Sequence, residues 1–272
     1  MNEKTNISWY AKHMEKSVQE IISKKNNFDF IIEVLDSRAP ITTHNEELVN
    51  HFKDKVFIKI ALKKDLSSWE SQYFNNILLV STKCTNDRKK IINQINNALT
   101  AKKENLVNKG LVNPTFYGVV LGIPNTGKSS LINFLSSKKI VITENKPGIT
   151  RKVTNIKISN NLFLADTPGI FFKKIDDYET GIKLALLNSI NTNLFSYKDI
   201  AEYCFQKIII KSSTLRLKFF VESGTDFETF INYFCKKQNY VLKNNNLDLD
   251  RGYKNIINTV SSCKFKKIFL DY

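Results

Sequence analysis

Residues 122–129 read Gly-Ile-Pro-Asn-Thr-Gly-Lys-Ser, the pattern G-x-x-x-x-G-K-[ST], and no other stretch constrains the fold so tightly. Such a loop must follow a strand and open a helix, because consecutive backbone N–H groups have to curl around phosphate oxygens at a helix N-terminus. The flanks meet both demands. Phe116-Tyr117-Gly118-Val119-Val120-Leu121 is a buried-strand run, and Ser130-Leu131-Ile132-Asn133-Phe134-Leu135 opens a helix. The loop predicts binding of a nucleoside triphosphate, with Asn125, Thr126, Gly127 and Ser130 around the phosphates. Lys128 would reach the β and γ phosphates and Ser129 would ligate Mg²⁺. Further on, Asp166-Thr167-Pro168-Gly169 ends a short apolar run. Its Asp166 is placed to hold the metal through water, and the Gly169 N–H to sense the γ-phosphate.

The 272 residues suffice for one large domain or two ordinary ones. No run approaches the ~18–20 apolar residues that a membrane span needs, so no membrane partner is expected. The first thirty residues hold Glu3, Glu15, Glu20 and Asp29, no Arg and no apolar core, which argues against a signal or transit peptide. Cys84, Cys204, Cys235 and Cys263 are widely spaced, as thiols in a reducing compartment would be. A cytoplasmic setting follows. The net charge of +15 favours a polyanionic partner, nucleic acid first. Residues 1–170 carry 25 basic and 15 acidic side chains and 171–272 carry 16 and 11, so no single basic tail carries the excess. The densest basic cluster is Lys83, Arg88, Lys89, Lys90, Lys102, Lys103 and Lys109.

Residues 13–25 open with a helical pattern, Met14, Val18, Ile21 and Ile22 sharing a face. Strand-like runs follow at Phe28–Leu35, Val56–Leu62 and Ile77–Val80. Ile91, Ile92, Ile95 and Leu99 mark a helix, and beyond the phosphate loop come strands at Val153–Ile158 and Leu162–Ala165. Alternating strands and helices predict an α/β fold with a largely parallel sheet and ligands at the strand C-termini. Past about residue 175 the strand signal fades. Ser196-Tyr197-Lys198-Asp199 and Thr225-Asp226-Phe227-Glu228 read as capping boxes, and Phe227, Phe230, Ile231 and Phe234 form one apolar stripe. Residues 1–175 and 176–272 are therefore expected to form an α/β domain and a small all-α C-terminal domain.

Leu62-Lys63-Lys64-Asp65 ends the Val56–Leu62 strand, where an N-K-x-D element would select the base. The Asp65 carboxylate can accept hydrogen bonds from guanine N1–H and N2–H₂, donors that adenine lacks, while the Lys63 stem packs on the ring. Val80-Ser81-Thr82-Lys83 offers a second base-contacting loop through Ser81 and Thr82. The order is unusual: base-selecting loop, phosphate loop, Pro147-Gly148-Ile149-Thr150, then D-T-P-G. With Trp9-Tyr10-Ala11-Lys12-His13-Met14 and Leu35-Asp36-Ser37-Arg38-Ala39-Pro40, these elements resemble the circularly permuted P-loop GTPases, specifically the YlqF/RbgA family of ribosome-assembly GTPases. The resemblance covers the whole chain in order and is weak in the helical half.

The resemblance implies GTP and GDP as ligands, Mg²⁺ held by Ser129 and, in the triphosphate state, Thr150, and Asp166 behind them. It implies a factor that binds the large ribosomal subunit and its rRNA, assists late assembly, and hydrolyses GTP slowly until the particle stimulates it. No obligate oligomer is evident. Ile170 stands where Ras-like enzymes place the Gln that orients attacking water, and His13 matches the histidine that takes over in this family. His44 and His51 read as surface residues. Leu62 replaces the family's Asn and Ala11-Lys12 its Pro-Gly. The Asn loss is expected to cost on the order of 1–3 kcal/mol of nucleotide affinity. Those departures leave a second reading open: a nucleotide-gated RNA-binding assembly factor with little intrinsic hydrolysis.

Overall fold

The computed structural model describes residues 12–69, 76–136, 155–169, 175 and 177–271, with the side chains of 12–14 and 17 excepted. A six-stranded sheet organises the N-terminal part. Its strands are β1 (Phe30–Asp36), β2 (Val56–Leu62), β3 (Ile77–Leu79), β4 (Phe116–Leu121), β5 (Asn155–Ser159) and β6 (Leu162–Ala165), in the order β3-β2-β1-β4-β6-β5. Each neighbouring pair is parallel except β5–β6, an antiparallel edge hairpin. All seven residues of β1 are buried, as a central strand covered on both faces must be. Its neighbours are β2 and β4, so the base-loop strand and the phosphate-loop strand flank it.

Helices α1 (Lys12–Ser23), α2 (Glu46–Asn50), α3 (Thr85–Ala98), α4 (Thr100–Asn108) and α5 (Lys128–Ser136) accompany the sheet. Ile91 and Ile95 of α3 are fully buried, at the helical spacing the sequence shows. The Arg88 guanidinium donates to the Leu135 carbonyl at 2.7 Å and the Ile158 carbonyl at 3.3 Å, joining α3 to the end of α5 and to β5. Three lysines of the basic cluster form ion pairs at the surface: Lys83 with Asp65, Lys90 with Asp87 and Lys102 with Asp29.

From residue 177 the described chain is helical, with α6 (Tyr178–Leu186), α7 (Tyr197–Cys204), α8 (Ser213–Phe219), α9 (Phe227–Lys237) and α10 (Leu249–Ser261), and a π turn at Phe205–Ile209. Phe205, Phe227, Phe230 and Phe234 are buried, and the Phe205 and Phe230 rings stack with centroids 4.7 Å apart. Phe205 is thus a core residue. A Cβ at Gly252 would lie 2.4 Å from Cys235 Sγ, so only glycine allows α10 to approach α9 this closely. The expected capping boxes form differently. Ser196 makes no capping hydrogen bond, and Asp226, one residue later than Thr225, caps α9 by accepting from the Thr229 N–H.

The apolar core of the helical half continues into the strand-end loops through Ala39 and Ile123. The C-terminal tail completes the seam. Ile268 exchanges backbone hydrogen bonds with Leu66 and Ser68, and the Leu270 N–H donates to the Arg38 carbonyl at 2.7 Å. The Asp271 carboxylate accepts from the N–H groups of Ile41 and Thr42 and from the Thr42 hydroxyl.

Candidate functional site

Five loops meet at the C-terminal ends of the parallel strands, where ligands of such sheets bind. The phosphate loop leaves β4 through Gly122, whose φ of +148° and close approach exclude a side chain: a Cβ there would lie 2.5 Å from the Val34 carbonyl oxygen. The Thr126 hydroxyl is fully buried and donates to the Ile123 carbonyl at 3.0 Å, so this side chain shapes the loop and leaves its backbone N–H for a ligand. Lys128 folds back onto the same carbonyl at 2.8 Å. Burial pushes its ammonium down to about 8; nearby Lys63 adds to the shift and Asp166 opposes it. Ser129 and Ser130 sit in the first turn of α5, half-buried.

Asp166 leaves β6 beside this loop, its Oδ2 accepting from the Ser129 hydroxyl at 3.3 Å. Thr167 is buried and donates to the Val120 carbonyl at 2.6 Å, which pins the start of the D-T-P-G segment to β4. Gly169 lies against the phosphate loop, where a Cβ would come within 2.8 Å of Pro124 Cα. The pairing of a serine hydroxyl with a carboxylate suits a hard cation that keeps several waters, as Mg²⁺ does. Thr150 and Ile170 lie outside the described residues. His13 falls in the first turn of α1, and its side chain is outside them too.

The other side of this cluster, the loop expected to select the base, is built around Lys63, which sits at φ +64°. Its ammonium donates to Asp36 Oδ2 at 2.7 Å and to the Asn125 carbonyl at 2.6 Å. One lysine thereby joins the base loop to the phosphate loop across 62 residues of sequence. Asp65 is held by the Ser81 hydroxyl at 2.7 Å and by Lys83 at 2.6 Å. Burial would raise its pKa, but those two donors more than offset it and the carboxyl is lowered. Lys83 is largely exposed and can swing away from Oδ2 when a ligand donor arrives, whereas Ser81 is buried and keeps the carboxylate oriented. Thr82 is half-buried at the tip of the same loop.

Three supporting residues have no role assigned by the motifs. Asp36, 1% exposed, accepts from Lys63 and, in a two-point pairing, from Arg38 Nε at 2.9 Å and Nη2 at 2.7 Å. Burial alone would raise its pKa; the Lys63 and Arg38 cations win and hold it well below the carboxylate range. Arg38 also donates through Nη1 to the Ser261 carbonyl at 3.0 Å, reaching the last turn of α10. Asp87, buried on α3, accepts from the Ser81 N–H at 2.9 Å and so fixes the second base loop. A carboxylate ending an apolar strand was the readable signal for Asp36; for Asp87 no local pattern exists. His44 is not a plain surface residue, for its Nδ1 contacts both oxygens of buried Glu33 at 2.8 and 2.9 Å.

A family model described as "50S ribosome-binding GTPase" matches residues 118–210. Across nearly its full length the chain is similar to the "Probable ribosome biogenesis GTPase A" of Mycoplasma genitalium, 34% identical over 263 residues that cover 96% of this chain and 95% of the relative. The chain belongs to the ribosome biogenesis GTPase A family. A second member, from Priestia megaterium, is 31% identical over 74% of this chain and 73% of its own. Among solved structures, GDP-bound YlqF superposes with a TM-score of 0.66 at 21% identity, covering 93% of this chain and 98% of that one, and shares the fold. As a GTPase the chain binds guanine nucleotide and hydrolyses GTP, and its phosphate-loop pattern at residues 122–129 falls within the stretch that the family model matches. Among the described residues no helix is long and apolar enough to cross a membrane.

Proposed function

We propose that this GTPase binds the large ribosomal subunit, assists a late step of its assembly, and couples GTP hydrolysis to release. The observation that carries the reading is the Lys63 bridge, which makes one site from a base-selecting loop and a phosphate loop that are far apart in sequence. Asp65 then selects guanine, with the Lys63 stem along the ring, Ser81 and Thr82 closing the base edge, and Asn125–Ser130 around the phosphates. Mg²⁺ would be held by the Ser129 hydroxyl and, with triphosphate, Thr150, with Asp166 acting through water; when bound it neutralises developing phosphate charge. His13 positions the attacking water, and contact with the particle brings the N-terminal segment that carries it into place. The names of the relatives, a ribosome-binding family model and the basic charge all support a ribosomal partner.

The test is co-sedimentation of purified protein with large ribosomal particles in a non-hydrolysable GTP analogue or in GDP. Pelleting only with the analogue is expected; equal pelleting in both nucleotides would overturn the switch, and no pelleting the partner. Particle-stimulated turnover that survives His13→Ala would remove that residue from the chemistry.

A further inference from the structure

A cleft of about 260 Å³ opens in the helical half. Helix α10 lines it with Asn255, Asn258 and Thr259, the residues just past α10 and α9 add Ser262 and Gln238, and Lys218, Lys264 and Phe265 stand around it. Its volume falls just below the ~300–1,000 Å³ of sites for drug-sized ligands, so it suits one flat group and not a whole cofactor. The Phe265 ring is 40% exposed, with Lys218 Nζ 4.6 Å and Lys264 Nζ 5.6 Å from its centroid. Elsewhere in the helical half Phe220, 42% exposed and at φ +59°, carries Lys237 Nζ at 5.8 Å. Lys218, Lys237, Lys264, Lys266 and Lys267 have no carboxylate partner among the described residues. The side-chain amides of Gln238 and Asn258 likewise make no hydrogen bond among them.

The three features select a partner together. Lysines with no carboxylate need a polyanion, partly exposed rings need flat groups to stack on, and free amides need hydrogen-bonding edges. An acidic peptide or an anionic lipid surface answers only the first. A nucleic-acid duplex keeps its base faces inside the stack. Single-stranded RNA answers all three, since its unstacked bases lie on aromatic side chains while lysines track the backbone. We infer that this cleft binds an unstacked base of single-stranded RNA, with the base on Phe265, its edge toward Gln238 and Asn258, and flanking phosphates on Lys218 and Lys264. The proposal deepens the ribosomal reading above by placing an RNA contact on named residues of the helical half.

Fluorescence anisotropy of a labelled 12-nucleotide single strand and of a duplex of equal length, measured on the full chain saturated with GDP, tests it. The single strand is expected to bind more tightly. F265L keeps the apolar volume and loses the π face, so it should weaken single-strand binding on the order of tenfold while leaving the salt dependence unchanged, and F265Y should restore binding. The double variant K218A/K264A should instead flatten the slope of log K against log salt by roughly 0.7 for each phosphate that is no longer neutralised. Equal binding of strand and duplex, equal affinity of F265L and parent, or full displacement of the RNA by polyglutamate would each overturn the proposal. Failure here is separable from failure of the ribosomal reading. Parent and F265L pelleting equally with particles sinks the cleft alone, whereas Phe265-dependent strand binding without particle pelleting sinks the ribosomal partner alone.

Discussion

Leu62 packs directly on Gly127: a Cβ added to that glycine, which sits at φ +105°, would lie 2.9 Å from the leucine Cδ1. The base loop therefore meets the phosphate loop through an apolar contact at the position where the resembled motif has an asparagine, and Lys63 makes the polar connection beside it. Leu62→Asn places an amide at a site only 2% exposed. Without ligand that amide should lower stability by about 1–3 kcal/mol. With guanine nucleotide bound it gains a partner, so GDP affinity should rise severalfold. Thermal melts with and without GDP check this; an equal drop in both would show that Leu62 is only a packing residue.

On the proposed reading guanine preference rests on Asp65, whose partners Ser81 and Lys83 are already in place. Asp65→Ala removes two charge-assisted hydrogen bonds to the base, each worth about 1.5–3 kcal/mol. GDP affinity should fall by at least 100-fold while the melting temperature of the nucleotide-free protein changes little, because the carboxylate is partly exposed. Titration with GDP and ADP in parallel reads both effects. Retained discrimination between the two would move base selection elsewhere.

The phosphate loop, the strand before it and the helix after it were legible in the sequence because each is local: a glycine pattern, an apolar run and a helical period. The β2 and β6 boundaries follow the apolar runs residue for residue. What could not be read depends on contacts between distant segments. Nothing near Lys63 announces that its ammonium ends on Asp36 and Asn125, and Asp87 looks like any helix-start carboxylate. Nor does the sequence show that Arg88 ends on the Leu135 carbonyl, or that Lys90 and Lys102 pair with Asp87 and Asp29. The seam between the two halves, from Ala39 and Ile123 to Ile268–Asp271, has no sequence signature at all.

A buried arginine ties into that seam. Arg38 reaches Asp36 on one side and the Ser261 carbonyl on the other, while its own carbonyl accepts from Leu270. Arg38→Lys keeps a charge but loses the two-point pairing and the reach to α10, and should cost about 2–4 kcal/mol. Urea unfolding should show the loss, with the helical half melting first. The sign with pH follows from Asp36, whose pKa is lowered in the folded state. Its contribution is present above the unfolded value of 3.8 and lost as pH falls below it. The gap between parent and variant should therefore narrow below about pH 4. A gap independent of pH would mean that the Asp36 pairing is not what the variant disturbs.

Lys128 gives the converse case. Burial brings its ammonium from 10.5 to about 8 in the nucleotide-free protein, so the folded state sheds a proton more readily than the unfolded one. Where the unfolded chain binds more protons, stability rises with pH. The nucleotide-free protein should thus gain stability as pH is raised from about 8 toward 10.5, and Lys128→Met should abolish that gain. Below pH 8 the same variant should melt at an equal or higher temperature than the parent, since it relieves a desolvated charge, yet bind no nucleotide. Bound phosphate restores the charged form, so nucleotide binding at about pH 8.5 should take up roughly half a proton or more. Calorimetry in two buffers of different ionisation enthalpy measures that uptake. A value near zero would mean that Lys128 stays fully charged against the Ile123 carbonyl, with Asp166 outweighing burial.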